Sequence, residues 1–339
     1  MNIILVGCGR QGRLHAQCLA KLQDTFNLKI VGVVDHSPER AAAMIGTFPA
    51  LGFDPKDVVQ GQSLSTLARE LDLSDTIVDV VTTNSVHHEV AMLAAENNAR
   101  GILIEKPIAD TLDHARYITK LDRPIFVMEN YLFSVITNFV RGYLDENNLR
   151  PRFVKTEFSK DRRRESFDGR GSLAGYVPHV FDVEMPHQIA LAAHLLGPSR
   201  SVYDAWCHDM ILADGRIVDH GEGAITLSHG DGATSYNFSS LQGHHCLSAT
   251  YRNARIYCQD DLKVFCYFPT TVDLSGSVLI YEGEKLIGRK AFFDDSLTEA
   301  LRYALACCRD ELTPLNDAQF GSDVLEVITS SKELAREYR

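Results

Sequence analysis

The sequence predicts an α/β protein in which a doubly wound parallel sheet is followed by an α+β domain with a mostly antiparallel sheet. Three observations favour this fold class. Strand and helix patterns alternate through the first third of the 339 residues. A glycine-rich turn joins the first strand to the first helix. Beyond Phe153, short strand patterns and turn signals follow one another.

The periodicity of apolar residues assigns the individual elements. In the first part, we predict strands at 2–6, 30–34, 76–81, 100–104 and 125–128, and helices at 13–21, 38–45, 63–71, 86–97 and 111–121. In the second part, we predict helices at 131–146, 184–196, 297–308 and 317–338, a strand at 153–159, and strand runs starting at 225, 235, 247, 254 and 264. We place the domain boundary between 130 and 131, with a C-terminal helix that could return to the first domain.

The bulk composition excludes several classes of protein. Hydrophobic residues make up 45% of the chain, which suffices for about two globular domains. The formal charge of −11 argues against a nucleic-acid partner. No apolar run could span a membrane, and the chain enters a strand without a basic leader, so we expect a cytoplasmic protein. The eight cysteines contain no C-x-x-C pair and favour reduced thiols over a zinc or redox module.

The first turn carries a complete dinucleotide-binding fingerprint. Gly7, Gly9 and Gly12 form G-x-G-x-x-G between a strand and a helix, and Asp35 ends the next strand about twenty residues later. Gly7 permits the tight turn, Gly9 lets a pyrophosphate approach the backbone, and Gly12 allows close packing of helix on sheet. The alternative is a glycine-rich turn of some other doubly wound domain.

The fingerprint also predicts which groups hold the cofactor. The helix N-terminus, beginning near Arg10 and Gln11, offers N–H groups and the positive end of a dipole to the phosphates. Asp35 would accept hydrogen bonds from the adenosine ribose, and its charge would repel a 2′-phosphate. We therefore predict a Rossmann domain over 1–130 that prefers NAD to NADP.

Several motifs in order resemble the Gfo/Idh/MocA oxidoreductase family. After the three glycines come Thr83-Asn84-Ser85-Val86-His87, then Glu105-Lys106-Pro107-Ile108-Ala109, then a helix with His187 before Leu195-Leu196-Gly197. The resemblance implies a C-terminal α+β domain, spanning 131–339, with an open sheet. It also implies hydride transfer between a nicotinamide and a hydroxyl or keto carbon, commonly on a sugar or cyclitol.

Lys106 is the first catalytic candidate. It follows a predicted parallel strand, at the edge where open α/β sheets bind ligands. There it could donate to the substrate oxygen and assist proton transfer, while Glu105 orients the loop beside the cofactor. In the family, the peptide before Pro107 is often cis. Position alone favours an ordinary surface lysine, whereas the resemblance favours catalysis.

His187 is the second catalytic candidate, as the principal proton carrier. The family usually places an aspartate three or four residues before this histidine. Here Val183 stands four before and Glu184 three before, so Glu184 is the predicted partner, with Asp182 a weaker one. Three residues after the histidine, where the family has a further aspartate, this sequence has Ala190. The histidines and acids of this segment match no zinc motif, so we predict no metal.

Other predicted contacts depend mainly on the resemblance. Thr83, Asn84 and His87 line the cofactor in the family's arrangement, although His87 could equally be an ordinary histidine at a helix N-terminus. Asn130 follows the last strand of the first domain, where substrate or nicotinamide is often contacted.

The run 160–164 is the strongest local positive charge in an acidic chain. A solvated loop or subunit contact is the simpler interpretation. The alternative is that Arg162 and Arg163 clamp an anionic substrate.

Together these features predict an NAD(H)-dependent dehydrogenase or reductase of a polyhydroxylated small molecule. Two alternatives remain: a member that keeps NAD bound for transient oxidation in a non-redox reaction, and a dinucleotide-binding regulator without turnover. An uncovered sheet face is avoided in single domains, so we also expect a homodimer or homotetramer joined through the C-terminal sheet.

Overall fold

The computed structural model describes residues 1–160, 179–211, 215, 217–241, 250–270, 273–310 and 312–338. Its contacts divide the chain into two compact units. One unit combines Met1–Phe133 with Ser296–Leu325, and the other combines Ser134–Asp295 with Glu326–Arg339. The sequence-based boundary at 130 stays a prediction. None of the helices in the described parts of the chain has the length and apolar character needed to cross a membrane.

Among the described residues, the first unit contains a six-stranded sheet. Its strands are β1 (Asn2–Val6), β2 (Lys29–Val34), β3 (Val59–Gly61), β4 (Thr76–Val80), β5 (Gly101–Ile104) and β6 (Ile125–Val127). They lie in the order β3-β2-β1-β4-β5-β6, and every neighbouring pair is parallel. This is the doubly wound order, in which the direction of the strand order changes between β1 and β4. Folds of this kind bind ligands at that point, at the carboxyl ends of the strands.

Helices cover the sheets and connect their strands. They are α1 (Arg10–Phe26), α2 (Pro38–Leu51), α3 (Leu64–Leu67), α4 (Asn84–Glu96), α5 (Leu112–Ile118), α6 (Val135–Glu146), α7 (Val180–Val183), α8 (Met185–Leu196), α9 (Ser296–Asp310) and α10 (Ala318–Leu334). Four of them start at hydroxyl caps, because Ser37, Ser63, Thr111 and Ser134 each accept a backbone N–H three residues on. In the first unit, Ile102 and Ala94 are fully buried members of one core that joins sheet and helices.

The second unit is built on a mixed sheet of nine strands among the described residues. They are β7 (Pro151–Lys160), β8 (Ser199–Ile211), β9 (Ile217–His229), β10 (Thr234–Ser240), β11 (Thr250–Cys258), β12 (Leu262–Tyr267), β13 (Ser275–Glu282), β14 (Lys285–Phe293) and β15 (Arg336–Tyr338). The order is β14-β13-β12-β11-β7-β10-β9-β8-β15. Only the pairs β7–β10 and β8–β15 among these described strands are parallel. The predicted fold class is therefore confirmed.

Two element predictions in the second unit were wrong. The separate runs at 247 and 254 belong, where described, to the single strand β11, which pairs along β7 and β12. The helix predicted to reach 338 ends at Leu334, and Arg336–Tyr338 pairs with β8. The unpaired backbone N–H and C=O groups at the edge of β8 form hydrogen bonds with this last segment. The helical pattern of the sequence does not indicate this pairing.

Candidate active site

Two glycines shape the turn between β1 and α1 by allowing close backbone contacts. Gly7 has a φ of 108°, and a Cβ there would overlap the carbonyl oxygen of Val81. A Cβ at Gly12 would overlap the carbonyl oxygen of Gly7. Because neither position has room for a side chain, α1 can start close to the end of β1.

Gly9 is different, because its missing side chain leaves open space. A Cβ built at Gly9 would meet no other atom within 4 Å. Gly9 is also the N-cap of α1 and supplies no side-chain cap, so no capping group competes for the N–H groups of the turn that starts at Arg10 and Gln11. Open space beside a helix N-terminus suits a diphosphate.

Asp35 is fixed beside this turn at the end of β2. Its Oδ2 accepts the backbone N–H of Cys8 at 2.9 Å, and its Oδ1 accepts that of Ser37 at 2.9 Å. Arg40 lies with its Nε 3.3 Å from the same Oδ1. Burial, assisted by the charge of Asp35, raises the pKa of Cys8 to about 12, so this thiol stays protonated. The carboxylate is thus held where a ribose is expected.

The loop after β5 carries the predicted catalytic lysine. The N–H of Glu105 donates to Val80 at 3.0 Å, and the N–H of Lys106 donates to Oε2 of Glu105 at 3.1 Å. The Lys106–Pro107 peptide is cis, as the family resemblance implies. Lys106 is half-buried at the carboxyl end of a strand that neighbours β4.

A buried histidine, not singled out from the sequence, joins α1 to this loop. The Nδ1 of His15 lies 2.9 Å from Asp79, and its Nε2 lies 3.0 Å from Oε1 of Glu105. Gln11 donates to the same Oε1 at 3.2 Å. His15 and Asp79 are fully buried. The helix that follows the glycine turn is therefore bonded to the loop that carries Lys106.

Electrostatics make this network ionic. Burial disfavours the charged imidazole, but the carboxylates of Asp79 and Glu105 outweigh it and raise the pKa of His15 well above its usual value. Burial would raise the pKa of Glu105, yet His15, Lys106 and Gln11 lower it to about 2. Near neutral pH, an imidazolium thus lies between buried carboxylates.

The segment after β4 meets the same loop through His87. The ring of His87 is 1% exposed, with Nδ1 3.0 Å from the carbonyl oxygen of Pro107 and Nε2 3.3 Å from that of Thr82. Burial lowers the pKa of His87, which favours the neutral ring. These contacts support a structural role for His87, which links the segment after β4 to the Lys106 loop. They give no support to a contact between His87 and the cofactor. Thr83 is exposed at the N-cap of α4 and Asn84 is the first helical residue, so their predicted cofactor contacts stay predictions.

In the second unit, His187 and Glu184 mark the start of α8. Glu184 is the N-cap, and His187, 9% exposed, lies in the first turn. Arg252 of β11 holds the Glu184 carboxylate at 3.2 Å, and Lys332 holds Asp182 at 2.6 Å. Both predicted partners of His187 therefore have a cation of their own, and the pairing with Glu184 stays a prediction.

The remaining predicted contacts are resolved only in part. The side-chain amide of Asn130 donates to Ser296 at 2.7 Å, which anchors it within the first unit. Its predicted contact with substrate or nicotinamide stays a prediction. Arg162 and Arg163 lie outside the described residues. Their predicted role as a clamp for an anionic substrate stays a prediction.

Comparisons with known proteins agree with this geometry. Residues 1–123 match the model of an oxidoreductase family with an NAD-binding Rossmann fold, GFO_IDH_MocA. A levoglucosan dehydrogenase of Pseudarthrobacter phenanthrenivorans is 27% identical over 206 residues, which covers 54% of this chain. The match spans only half of that relative's own length.

Solved structures extend the likeness of fold to the whole chain. A UDP-N-acetylglucosamine 3-dehydrogenase from Acidithiobacillus ferrooxidans gives a TM-score of 0.76 at 19% identity, covering 99% of this chain and 97% of that one. A levoglucosan dehydrogenase in complex with NADH and levoglucosan gives 0.78 at 16%, covering 98% and 96%. A 3-ketoreductase from Actinomadura kijaniata, in complex with NADP and TDP-benzene, gives 0.78 at 15%, covering 99% and 98%.

The doubly wound sheet, the glycine turn and the acid after β2 define a protein with a dinucleotide-binding Rossmann domain. Residues 1–123 match the family model of the Gfo/Idh/MocA oxidoreductases, so this N-terminal part has that family's NAD-binding Rossmann fold. The predicted resemblance to this family is confirmed for that part of the chain.

Adding one methyl group at Gly9 is expected to weaken dinucleotide binding strongly without unfolding the protein. The new Cβ meets no protein atom but enters the space predicted for the diphosphate. In Gly9→Ala, the Kd for NADH measured by fluorescence titration should rise roughly 10-fold or more, which is about 1.4 kcal/mol. Gly46→Ala adds the same methyl to an open position in α2 and should bind normally. Unchanged binding by Gly9→Ala would place the diphosphate elsewhere.

Proposed function

We propose that this protein is an NAD(H)-dependent oxidoreductase. It would transfer a hydride between the nicotinamide and a hydroxyl or keto carbon of a sugar, a cyclitol or a related polyhydroxylated molecule, including anionic ones. The observation that carries the proposal is the linkage of the glycine turn to the Lys106 loop through Gln11, His15 and Glu105. The names of the relatives support the substrate class, since they act on or bind levoglucosan, UDP-N-acetylglucosamine and a TDP compound.

The chain's own residues would position the substrate and manage one proton. A bound nicotinamide supplies the hydride acceptor when a hydroxyl carbon becomes a ketone. We assign Lys106 to hydrogen-bond the reacting oxygen, because it stands at the ligand-binding edge of the parallel sheet. We assign His187 to take the hydroxyl proton, with Glu184 as its predicted partner.

We infer that NAD is preferred to NADP. Asp35 is 6% exposed and held by two backbone N–H groups, so its carboxylate cannot easily turn away from a 2′-phosphate. Arg40 beside it offsets part of the charge, which limits the expected discrimination. Calorimetric titration should show NADH binding more tightly than NADPH. Equal affinities would remove Asp35 as the selecting group.

A turnover screen tests the proposed activity. The protein would be mixed with NAD⁺ or NADH and a panel of sugars and cyclitols, free and nucleotide-linked, while the absorbance of NADH is followed. A change in NADH with at least one compound class supports the proposal. Tight NADH binding with no turnover would favour a ligand-sensing regulator. Product formation without a net change in NADH would indicate transient oxidation by a retained cofactor.

We further infer that a second copy of the chain covers the C-terminal sheet. Half-exposed aromatic rings run across four adjacent strands: Phe153, Tyr257, Phe265 and Tyr281 have neighbouring ring centroids 5.2–6.2 Å apart. Such a continuous aromatic surface is typical of protein interfaces. This supports a homodimer or homotetramer as the assembly.

A further inference from the structure

A cluster of three metal-ligating side chains lies in the second unit, apart from the residues discussed above. His179 precedes α7, Cys207 lies in β8 and His220 lies in β9. Their ligand atoms all lie within 4.8 Å of one another. We propose that His179, Cys207 and His220 form a binding site for Zn²⁺. The proposal is independent of the proposed hydride transfer.

The ring of His179 is already oriented by a hydrogen bond. Its Nδ1 accepts the backbone N–H of Phe181 at 3.1 Å, where His179 caps α7. Because Nδ1 accepts this bond, the proton of the neutral ring lies on Nε2, and Zn²⁺ binding through Nε2 requires the proton to move to Nδ1 and the bond to Phe181 to be released. A metal-bound histidine donates its second ring N–H to an acceptor, so the zinc-bound form of His179 would exchange the helix cap for such a bond.

His220 is held in an unusual backbone conformation. Its φ of 58° lies in the left-handed region, which residues with side chains seldom adopt. The N–H of His220 donates to Asp209 at 3.1 Å, at a place where the β8–β9 register shifts between His208 and Met210. Strained backbone of this kind tends to occur at functional sites. The irregularity places the imidazole of His220 beside that of His179.

The donor set matches a transition metal rather than Mg²⁺ or Ca²⁺, which prefer oxygen ligands. Two imidazoles and one thiolate are borderline and soft ligands suited to Zn²⁺, which leaves a fourth tetrahedral position. Tetrahedral Zn²⁺ would bring these atoms to about 3.4–3.6 Å from one another. The ligand atoms lie within 4.8 Å of one another, so binding requires them to close by up to about 1 Å. The rings of His179 and His220 stack with their centroids 4.6 Å apart, so one ring must also turn. His220 is half-buried and can make that change, whereas Cys207 is 2% exposed.

A metal ion here would tie α7 to two strands of the sheet. α7 leads directly through Glu184 into α8, which carries His187. The Lys332 cation, which acts on His179 electrostatically, is paired with Asp182 and is thereby partly neutralised. Bound Zn²⁺ would therefore stabilise the start of the helix that holds the predicted proton carrier.

Cobalt substitution tests the site without an activity assay. Tag-free protein freed of metal would be titrated with Co²⁺ and then with Zn²⁺. We expect one Co²⁺ per chain with a thiolate-to-cobalt absorption band, displaced by one equivalent of Zn²⁺, and a higher Tm with Zn²⁺. Absence of that band in the wild type would overturn the proposal.

Three variants keep the local structure while removing one ligand each. His179→Asn retains a side-chain oxygen for the helix cap, His220→Asn suits a left-handed backbone, and Cys207→Ser is nearly isosteric. Each should weaken Zn²⁺ binding by more than the roughly 10–100-fold expected from losing an outer contact. His208→Asn, one residue from Cys207 and outside the cluster, should bind normally. Zn²⁺ binding that survives all three ligand variants would show adventitious surface binding and would also overturn the proposal.

Discussion

Replacing Lys106 by alanine is expected to abolish hydride transfer while leaving dinucleotide binding intact. The lysine stands at the ligand-binding edge of the sheet, and its backbone N–H, which the substitution keeps, is the group bonded to Glu105. Loss of a positioned group of this kind costs roughly 10²–10⁴-fold in rate. The measurement is kcat with a substrate found in the turnover screen, alongside the Kd for NADH from fluorescence.

Two further variants separate the possible causes of that loss. Lys106→Arg keeps a positive charge but cannot release a proton near neutral pH. Partial activity of this variant would indicate an electrostatic role for Lys106, whereas complete loss of activity would indicate a role in proton transfer. Lys120→Ala removes an exposed lysine of the same unit, which lies over the Tyr117 ring, and should leave kcat unchanged. Normal turnover in Lys106→Ala would remove this residue from the mechanism.

The features that the sequence predicted well depend on short stretches of chain. Gly12 contacts the backbone of Gly7, five residues before it, so the spacing specifies this part of the turn, whereas the contact of Gly7 with Val81 is not local in sequence. The parallel sheet follows from the alternation of apolar strands and helices, which are local patterns. Asp35 could be predicted because the distance along one strand–helix–strand unit is nearly fixed.

The polar contacts between distant segments could not be predicted in the same way. His15 meets residues that are 64 and 90 positions away, and Glu184 meets Arg252 from 68 positions away. One signal was nevertheless present. Asp79 interrupts an apolar, β-branched strand, and a buried carboxylate requires a partner. That requirement predicts a cation or donor facing β4, although not which one.

The zinc-site proposal shows the same limit for metal ligands. His179, Cys207 and His220 belong to no spacing motif, and the sequence-based expectation of no metal considered only motifs of close spacing. They meet because the chain runs along β8 and back along β9 beside the start of α7. Only the fold brings such a set together.

Replacing His15 by alanine is expected to destabilise the first unit strongly. The substitution would leave the carboxylates of Asp79 and Glu105 buried without their shared cation. Removing one partner from a buried ion pair typically costs about 3–5 kcal/mol, and the cavity left by the ring adds to this. Chemical denaturation should show the loss as a lower midpoint. A change below about 0.5 kcal/mol would contradict an ionic network.

A surface pair provides the matched control for this substitution. His36 lies 3.4 Å from Asp35, but its side chain is 78% exposed, whereas His15 is fully buried. Exposed ion pairs contribute at most about 1 kcal/mol, so His36→Ala should change the free energy of unfolding little. Equal losses in the two variants would mean that burial does not amplify the interaction.

The stability of the wild type should depend on pH through the same network, with losses at both alkaline and acid pH. The folded-state pKa of His15 is raised, so its contribution is complete below about 6.5 and is lost as pH rises through the higher folded value. Glu105 has a folded-state pKa of about 2, so its contribution is complete above about 4.5 and is lost as pH falls toward 2. The stability difference between wild type and His15→Ala should therefore be largest between these limits. A difference that stayed constant from acid to alkaline pH would mean that the pKa of His15 is the same in the folded and unfolded protein, which would contradict the ionic network.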